Sequence, residues 1–411
     1  MDNITGNPVT NRNYLKTRLF LVKEFKALLK KCSVIIEAPR RFGKTSVIKE
    51  FIRRENTKKE EKQEFNILFF ELEGEKTVND FCFKLFMKLL DLYHVRKRIN
   101  TLGTLFGDTW NVLAGLLKKI KVPGFEVELQ EKTRDYNFPE WKRKITPMID
   151  HLNSFDKKTI ILFDEFPDML TNFRNLEGGE KNYKDAVDSI LAWFRSLRQS
   201  QDEGCKYCFV FCGSVNLRKT LEEIGLSKRI NDLEPFVIPP INNEDAKLLI
   251  QQLAGRYKLE IEPKGVDYMV EKITEGSLYY GQILVKALRE TRENRFSLDK
   301  IKAIYETMLR KGNHDMNHYH SRLEDYLPPI ERECSGVILK HLCSGAAHEK
   351  EIYDLLLHER CSYGQYEGVV NRLVYEGYIT RDIHDSGKLR FIAPLLKDWW
   401  SIKAGVEDVR L

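Results

Sequence analysis

One stretch near the start of the chain has residue types and spacing suited to holding a row of phosphates. Residues 38–45 read Ala-Pro-Arg-Arg-Phe-Gly-Lys-Thr, which matches the spacing G-x-x-x-x-G-K-S/T with Ala38 in place of the first glycine. Alanine is the smallest departure from glycine, so the motif is little weakened. The motif requires a strand before it and a helix after it, and the sequence predicts both. This pattern predicts a nucleotide-binding phosphate loop.

The residues of the loop have separate expected roles. Backbone N–H groups point at the phosphates, and Gly43 lets the backbone come close to them. Lys44 is expected to reach the β and γ phosphates, and Thr45 to ligate magnesium through its hydroxyl. For Arg40 and Arg41 three interpretations stay open: contact with nucleotide, contact with the C-terminal domain, or solvent. The predicted ATP-binding residues are Ala38, Pro39, Arg40, Arg41, Phe42, Gly43, Lys44, Thr45 and Ser46.

Two carboxylates follow an apolar run further along the chain. Residues 160–165 read Ile-Ile-Leu-Phe-Asp-Glu, so a buried strand would deliver Asp164 to the carboxyl edge of a sheet, where ligands bind. There Asp164 would hold magnesium or its water, and Glu165 would accept a proton from the attacking water. With Lys44, these two residues are the predicted catalytic set.

Three polar residues are candidates for sensing the γ-phosphate. Ser214 follows the apolar run Cys208–Cys212, with Asn216 in reserve, although a turn residue that caps the strand explains Ser214 nearly as well. Arg195 and Arg198 are three residues apart on a predicted helix and share one face, as an arginine finger would need. A solvated surface is the alternative for both arginines.

The elements that must position these residues alternate between strand and helix up to about residue 240. Buried strands are predicted at 33–37, 66–72, 159–163, 207–211 and 236–238, with amphipathic helices between them. This alternation predicts an α/β fold with a mostly parallel sheet. From 243 the pattern is helical, and it ends in three helices and a hairpin, the outline of a winged helix.

Composition limits the class of protein. The chain has 411 residues, which favours two or three domains, and no apolar run approaches the roughly 18 residues of a membrane span. No signal peptide is apparent, and eight scattered cysteines indicate reduced thiols, so we expect a cytoplasmic protein. Cys205 and Cys208 have C-x-x-C spacing, but zinc would need a second ligand pair that the sequence lacks.

The ordered motifs resemble those of the archaeal-type ATPases, relatives of the STAND and AAA-plus classes. Residues 36–48 resemble that family's phosphate loop, and the stretches ILFDEFPDM and FVFCGSVNL resemble its acidic and sensor strands. The resemblance implies a P-loop ATPase core (1–240), a helical lid (241–325) and a winged-helix domain (326–411), with ATP and Mg²⁺ as cofactors. Residues 276–288 match the lid helix only in part, because Leu278 stands where proline is usual.

Charge bears on whether a nucleic acid is a partner. The net charge is +6, with basic runs early in the chain, but residues 331–411 carry 11 Lys and Arg against 13 Asp and Glu, a net of −2. The third helix of the predicted winged helix has Arg372 as its only Lys or Arg, whereas phosphate contacts need several cations. A protein contact, self-association or an autoinhibitory role is therefore favoured over DNA binding.

Three functional hypotheses follow. The first is an ATP-hydrolysing switch, in which the nucleotide changes how the lid and winged helix sit and so signals to a partner. The second is a DNA-associated ATPase that uses its winged helix for binding or assembly. The third is a nucleotide-binding scaffold with little turnover, against which the intact Lys44, Asp164 and Glu165 count.

Overall fold

The five buried strands predicted before residue 240 all form, and they share one sheet. The computed structural model describes residues 16–95, 130–131, 133, 136–174, 180–199, 204–213, 217–310, 314–357, 362–382, 385 and 387–406. The described residues fall into two units. The sheet unit comprises Lys23–Glu37 and Phe51–Val237, and the loop-and-lid unit comprises the described parts of Met1–Val22, Ala38–Glu50 and Ile238–Leu411.

The sheet unit contains five strands, all paired in parallel in the order β2-β3-β4-β1-β5. Their bounds are β1 Val34–Glu37, β2 Phe65–Glu71, β3 Lys158–Asp164, β4 Tyr207–Phe211 and β5 Glu234–Val237. Every residue of β3 after Lys158 is buried, as expected for a central strand covered on both faces. The register pairs Glu71 with Asp164, so β2 and β3 end side by side. The predicted α/β class with a parallel sheet is confirmed.

Helices flank these strands in the chain, and the core between sheet and helices is rich in aromatic rings. The helices are α1 Leu19–Lys31, α2 Lys44–Asn56, α3 Val78–Val95, α4 Phe138–His151, α5 Phe166–Arg174, α6 Glu180–Gln199 and α7 Leu217–Glu223. Phe163 on β3 lies 5.4 Å, centroid to centroid, from Phe194 on α6. Phe166 meets Phe211 edge to face at 4.9 Å. Such edge contacts add to the free energy gained from burial, and they fix the carboxyl end of β3.

The loop-and-lid unit is mostly helical after residue 238. Its helices are α8 Asn243–Tyr257, α9 Pro263–Ile273, α10 Leu278–Glu290, α11 Leu298–Arg310, α12 His314–Tyr326, α13 Pro329–Leu342, α14 Glu349–Leu357, α15 Tyr363–Tyr375 and α16 Pro394–Lys403. Helices α8–α11 lie within the range predicted as the lid (241–325) and are called the lid helices below; the short strands β6 Glu260–Ile261 and β7 Arg295–Phe296 pair in parallel. Asn242 caps α8 by accepting the Asp245 N–H at 2.8 Å, which explains where the helix starts.

The last helices and a small sheet form the C-terminal subdomain, residues 329–403. Strands β8 Ala347–His348, β9 Ile379–Arg381 and β10 Lys388–Phe391 pair antiparallel in the order β8-β10-β9. The expected three helices and hairpin are present, and β8 is an additional strand. A buried ion pair, Lys272 Nζ to Asp398 Oδ2 at 2.7 Å, joins lid helix α9 to α16. The Tyr305 hydroxyl donates to the same carboxylate at 2.9 Å.

Candidate functional site

The phosphate loop has backbone geometry that only certain residues tolerate. Strand β1 ends at Glu37, and α2 begins at Lys44. Gly43 has φ = +90°, in the left-handed region that favours glycine, and its carbonyl accepts the Val47 N–H at 3.0 Å as the helix opens. Arg41 is also left-handed, with φ = +66°, which is strained for a residue with a side chain. The loop therefore leads directly into the N-terminus of a helix, where unpaired N–H groups favour anions.

Lys44 is engaged within its own loop. Its Nζ donates to the carbonyl oxygens of Ala38 at 2.7 Å and Pro39 at 3.1 Å, and the residue is only 7% exposed. The ammonium also lies 5.6 Å from the ring centroid of Tyr375. Lysine is expected to contact β and γ phosphates in such loops. Binding of a phosphate would exchange carbonyl oxygens for anionic oxygens, which are stronger acceptors.

Arg41 contacts the lid and the helix that follows it. Its guanidinium carbon lies 3.9 Å from the ring centroid of Tyr279 and 5.1 Å from that of Tyr319. Both rings lie in the range predicted as the lid (241–325), so neither contact is with the predicted C-terminal domain (326–411), and contact of Arg41 with a nucleotide stays a prediction. The two tyrosines were not predicted, because no local pattern distinguishes a tyrosine that faces an arginine from one in a core.

Backbone hydrogen bonds help to hold the acidic edge of the sheet. Asp164 is the last residue of β3 and is 5% exposed, and its carbonyl accepts the Leu72 N–H at 3.0 Å. Glu165 has φ = +57°, and its carbonyl accepts the Met169 N–H at 3.1 Å, which turns the chain sharply into α5. A strained conformation at a candidate site marks it as a place to look for function.

Gly213 allows this turn to form. A Cβ at that position would lie 2.3 Å from Cδ of Pro167 and 3.4 Å from Oε2 of Glu165. Only glycine fits so close to a rigid proline ring. The sequence contained the signal, since Gly213 follows the predicted sensor strand, but its role beside Glu165 depends on the fold.

The proposed sensors have different environments. Ser214 and its reserve Asn216 lie outside the described residues. Arg198 is 8% exposed and binds Asp232 through two hydrogen bonds, Nε to Oδ2 at 2.6 Å and a second guanidinium nitrogen to Oδ1 at 2.9 Å. Arg195 donates to the Lys228 carbonyl. Both arginines thus bind the turn between α7 and β5, and their role as sensors stays a prediction.

The predicted site residues are divided between the two units. The loop residues Ala38–Ser46 belong to the loop-and-lid unit, whereas Asp164, Glu165, Arg195 and Arg198 belong to the sheet unit. Within the sheet unit, Glu165 and Gly213 are brought together as the adjacency of β3 and β4 requires. Among the described residues of the loop, Ser46 is 9% exposed, and Thr45 is partly exposed.

The cysteines and the third helix of the C-terminal subdomain are the remaining candidates for metal binding and for DNA binding. Burial raises the pKa of Cys208 to about 12, so this thiol stays protonated and is a poor metal ligand. No group of three or more His, Cys, Asp or Glu residues in the described ranges is arranged to hold a metal ion. On α15, Arg372 lies 3.7 Å from Glu331, which neutralises that helix's cation.

Comparisons with known proteins identify the fold. No protein-family model and no curated protein matches the chain. Among solved structures, a Walker-type ATPase of Pyrococcus abyssi matches with a TM-score of 0.58 at 11% identity, over 96% of this chain and 98% of that one. The ORC2 protein of Aeropyrum pernix, solved as ADPNP–ADP complexes, matches with a TM-score of 0.53 at 12% identity, over 99% and 98%.

The helices of the described part of the chain include none that is both long and apolar enough to span a bilayer. The phosphate-loop motif, the parallel sheet and the two structural matches agree with one another. The chain therefore has the fold of the archaeal-type P-loop ATPases that its motifs resemble.

Proposed function

We propose that the protein binds ATP at the loop Ala38–Ser46, hydrolyses it with magnesium, and acts as a nucleotide-dependent switch. The observation that carries this proposal is the loop itself. A parallel strand ends, a left-handed glycine follows at Gly43 (φ = +90°), and Lys44 opens a helix. This arrangement presents N–H groups and an ammonium to a triphosphate. The Aeropyrum pernix neighbour, described as ADPNP–ADP complexes, supports nucleotide as the ligand.

Magnesium fits the donor types that the chain offers. Magnesium prefers hard oxygen ligands and is usually bound through one or two carboxylates together with substrate phosphates. Thr45 and Asp164 remain the predicted ligands, and the low exposure of Asp164 suits a carboxylate that acts next to a cation. When bound, the metal would neutralise charge on the phosphates.

Lys44 and Glu165 have separate proposed roles in the hydrolysis of ATP. Lys44 would exchange its carbonyl partners for phosphate oxygens and stabilise charge on the γ-phosphate. Glu165, set in a sharp turn beside Gly213, would accept the proton of the attacking water. The γ-phosphate would leave as inorganic phosphate, and ADP would remain in the loop.

The switch itself is supported by the placement of the loop in the same unit as the lid and the C-terminal subdomain. A change at the phosphates therefore acts on contacts within that unit. We interpret the C-terminal subdomain as a winged helix that contacts a protein partner. Its third helix has a single cation, already beside Glu331, which argues against duplex DNA as the main ligand.

Steady-state release of phosphate from ATP tests the proposal. Wild-type protein and Glu165→Gln are compared with magnesium and with EDTA, and with and without duplex DNA. We expect magnesium-dependent turnover that falls about 10²–10⁴-fold in Glu165→Gln, and no DNA stimulation. Equal turnover in the two proteins would remove Glu165 as the base. Stimulation by DNA that weakens with salt would favour the DNA-associated alternative, and no turnover at all would favour the scaffold.

A further inference from the structure

The two cationic side chains Arg41 and Lys44 of the phosphate loop lie close to tyrosine rings that come more than 200 residues later in the chain. Tyr279 lies in the first turn of lid helix α10, and Tyr319 lies on α12. Both rings face Arg41, at 3.9 and 5.1 Å, and Tyr375 at the end of α15 lies 5.6 Å from the Lys44 ammonium. Because Tyr279 and Tyr319 are only 4% and 5% exposed, the contacts with Arg41 are largely shielded from water. Cation–π contacts are strongest under those conditions.

The backbone of the C-terminal subdomain also touches the loop. Gly377, in the turn after α15, has φ = +79°, and a Cβ there would lie 3.3 Å from Cβ of Pro39 and 3.7 Å from the Arg40 carbonyl oxygen. The turn therefore packs directly on the residues that should cradle phosphates. Only a residue without a side chain fits the turn there without displacing the loop.

Helix α12 joins the arginine contact to this turn. Tyr319 presents its ring to Arg41, while its carbonyl accepts a hydrogen bond from the Tyr378 hydroxyl. One turn further along α12, Arg322 pairs with Glu376 at 3.1 Å. Residues three apart on a helix share a face, so one face of α12 holds both Arg41 and the turn at 376–378. Burial raises the pKa of the Tyr319 hydroxyl although Arg41 opposes it, so the ring stays neutral.

The strained backbone of Arg41 indicates that these contacts hold the loop in its shape. A residue with a side chain is strained in the left-handed conformation and keeps it only where the surroundings impose it. The rings of Tyr279 and Tyr319 provide such surroundings. The Lys44 ammonium meanwhile donates to loop carbonyls at 2.7 and 3.1 Å, so both cations are engaged inside the protein.

Building on the proposed function, we propose that Tyr279, Tyr319 and the turn Tyr375–Gly377 form a clamp that holds the phosphate loop. A triphosphate and the clamp compete for Arg41 and Lys44. ATP binding therefore loosens the C-terminal subdomain, and a protein partner that draws this subdomain away raises the affinity for ATP by the same factor.

Nucleotide binding by clamp variants gives the first test. A fluorescent ATP analogue is titrated into wild type, Tyr279→Leu and Tyr319→Leu, after thermal melting has shown each to be folded. We expect both leucine variants to bind about tenfold more tightly, because a shielded cation–π contact no longer competes. Tyr279→Phe keeps the aromatic face and should bind like wild type.

A matched control comes from the same unit. Arg289 lies 4.7 Å from the ring centroid of Tyr257, a pair that includes no loop residue. Tyr257→Leu should leave nucleotide affinity unchanged. Should either clamp variant fail to fold, Gly377→Ala provides a second way to weaken the clamp. The added Cβ would press on Pro39 and push the turn away from the phosphate loop. This variant should also bind the nucleotide more tightly than wild type.

Hydrogen exchange of the nucleotide-free protein separates the clamp from the ATPase proposal. Amides of residues 40–47 and 374–378 should exchange faster in Tyr279→Leu than in wild type, and not in Tyr257→Leu. Unchanged exchange overturns the clamp, whatever the nucleotide does. Faster exchange with unchanged affinity overturns the competition. Faster exchange with no nucleotide binding by any variant overturns the proposed function and, with it, the regulation that rests on it.

Discussion

The acidic edge of the sheet unit and the phosphate loop of the other unit are held in place by different means. Backbone hydrogen bonds and the close approach of Gly213 contribute to the placement of Asp164 and Glu165. The phosphate loop, in contrast, is contacted by side chains such as Tyr279, which belong to helices more than 230 residues later in the chain. The first arrangement is part of the sheet itself, whereas the second depends on contacts that a ligand or partner can replace.

This difference indicates which half of the proposed chemistry is constant and which is regulated. Parallel strands fix the ends of β3 and β4 whenever the sheet forms. Side-chain contacts such as that of Arg41 with Tyr279 are each weak enough to exchange for a phosphate. We therefore expect changes at the acidic edge to alter hydrolysis or folding, and changes around the loop to alter affinity.

The largest expected effect tests the acidic edge through its buried carboxylate. Asp164→Asn removes the predicted magnesium ligand, so hydrolysis should fall on the order of 100-fold or more. Nucleotide binding in EDTA should be unchanged, because the loop would still bind the phosphates. Titration of ATPase activity with magnesium measures hydrolysis, and titration with a fluorescent ATP analogue in EDTA measures binding. Asp156→Asn, an exposed carboxylate of the same unit, is the control. Wild-type dependence on magnesium in Asp164→Asn would contradict its assigned role.

The buried ion pair between Lys272 and Asp398 should make the next largest contribution, to the stability of the loop-and-lid unit. Asp398→Asn leaves Lys272 largely buried without a negative charge beside it, and the Tyr305 hydroxyl then donates to a neutral amide oxygen in place of a carboxylate. We expect a loss of about 3 kcal/mol in the free energy of unfolding, measured by denaturant titration. Asp267→Asn breaks an exposed ion pair with Lys247 and should cost far less. Equal losses in the two variants would show that Asp398 does not join lid and subdomain.

Gly213→Ala sharpens the comparison within the sheet unit. A Cβ 2.3 Å from the Pro167 ring forces the strands or the Glu165 turn to shift, which should cost about 1–3 kcal/mol. Hydrolysis should fall together with stability, since the carboxylate moves. Gly74→Ala, where a Cβ meets no atom within 4 Å, is the matched control. Full activity and stability in Gly213→Ala would mean that this close approach does not position Glu165.

The smallest effect concerns a surface cluster of the sheet unit. Hydrogen bonds from Lys26 and Lys30 lower the pKa of Glu64 from its ordinary value of 4.5 to about 2. The stabilisation is thus present above pH 4.5 and is lost as the pH falls towards 2. Glu64→Gln should lower the Tm by about 2 °C at pH 7, because exposed pairs contribute little. The difference from wild type should shrink between pH 4.5 and 2. Glu61→Gln, at an exposed residue of the same unit, is the matched control for the Tm at pH 7.

Local patterns predicted the sheet well. The strand at Tyr207–Phe211 was predicted with its observed bounds, and β3 differs by one residue at each end, because continuous apolar runs are typical of buried parallel strands. The phosphate loop was likewise recognisable, since its residues are adjacent in the chain. Strands β6, β7 and β8 were missed because two residues show no periodicity.

Sequence patterns did not predict the side-chain contacts around the phosphate loop. Tyr279 and Tyr319 look like ordinary core tyrosines, and their partner Arg41 is more than 230 residues away. Nor does any pattern distinguish Arg198, bound to Asp232, from a surface arginine that awaits a nucleotide. Contacts over such separations follow from how helices pack, which residue spacing does not encode.

Binding of ATP to the nucleotide-free protein, measured by calorimetry, tests the central claim most directly. Wild type, Lys44→Ala and the control Lys247→Ala are compared with magnesium present. Lys44 is the ammonium of the loop, whereas Lys247 is an exposed lysine of the lid. We predict that wild type and Lys247→Ala bind ATP alike and that Lys44→Ala binds at least about 100-fold more weakly. Binding by Lys44→Ala as tight as that of wild type would contradict the assignment of the phosphate loop.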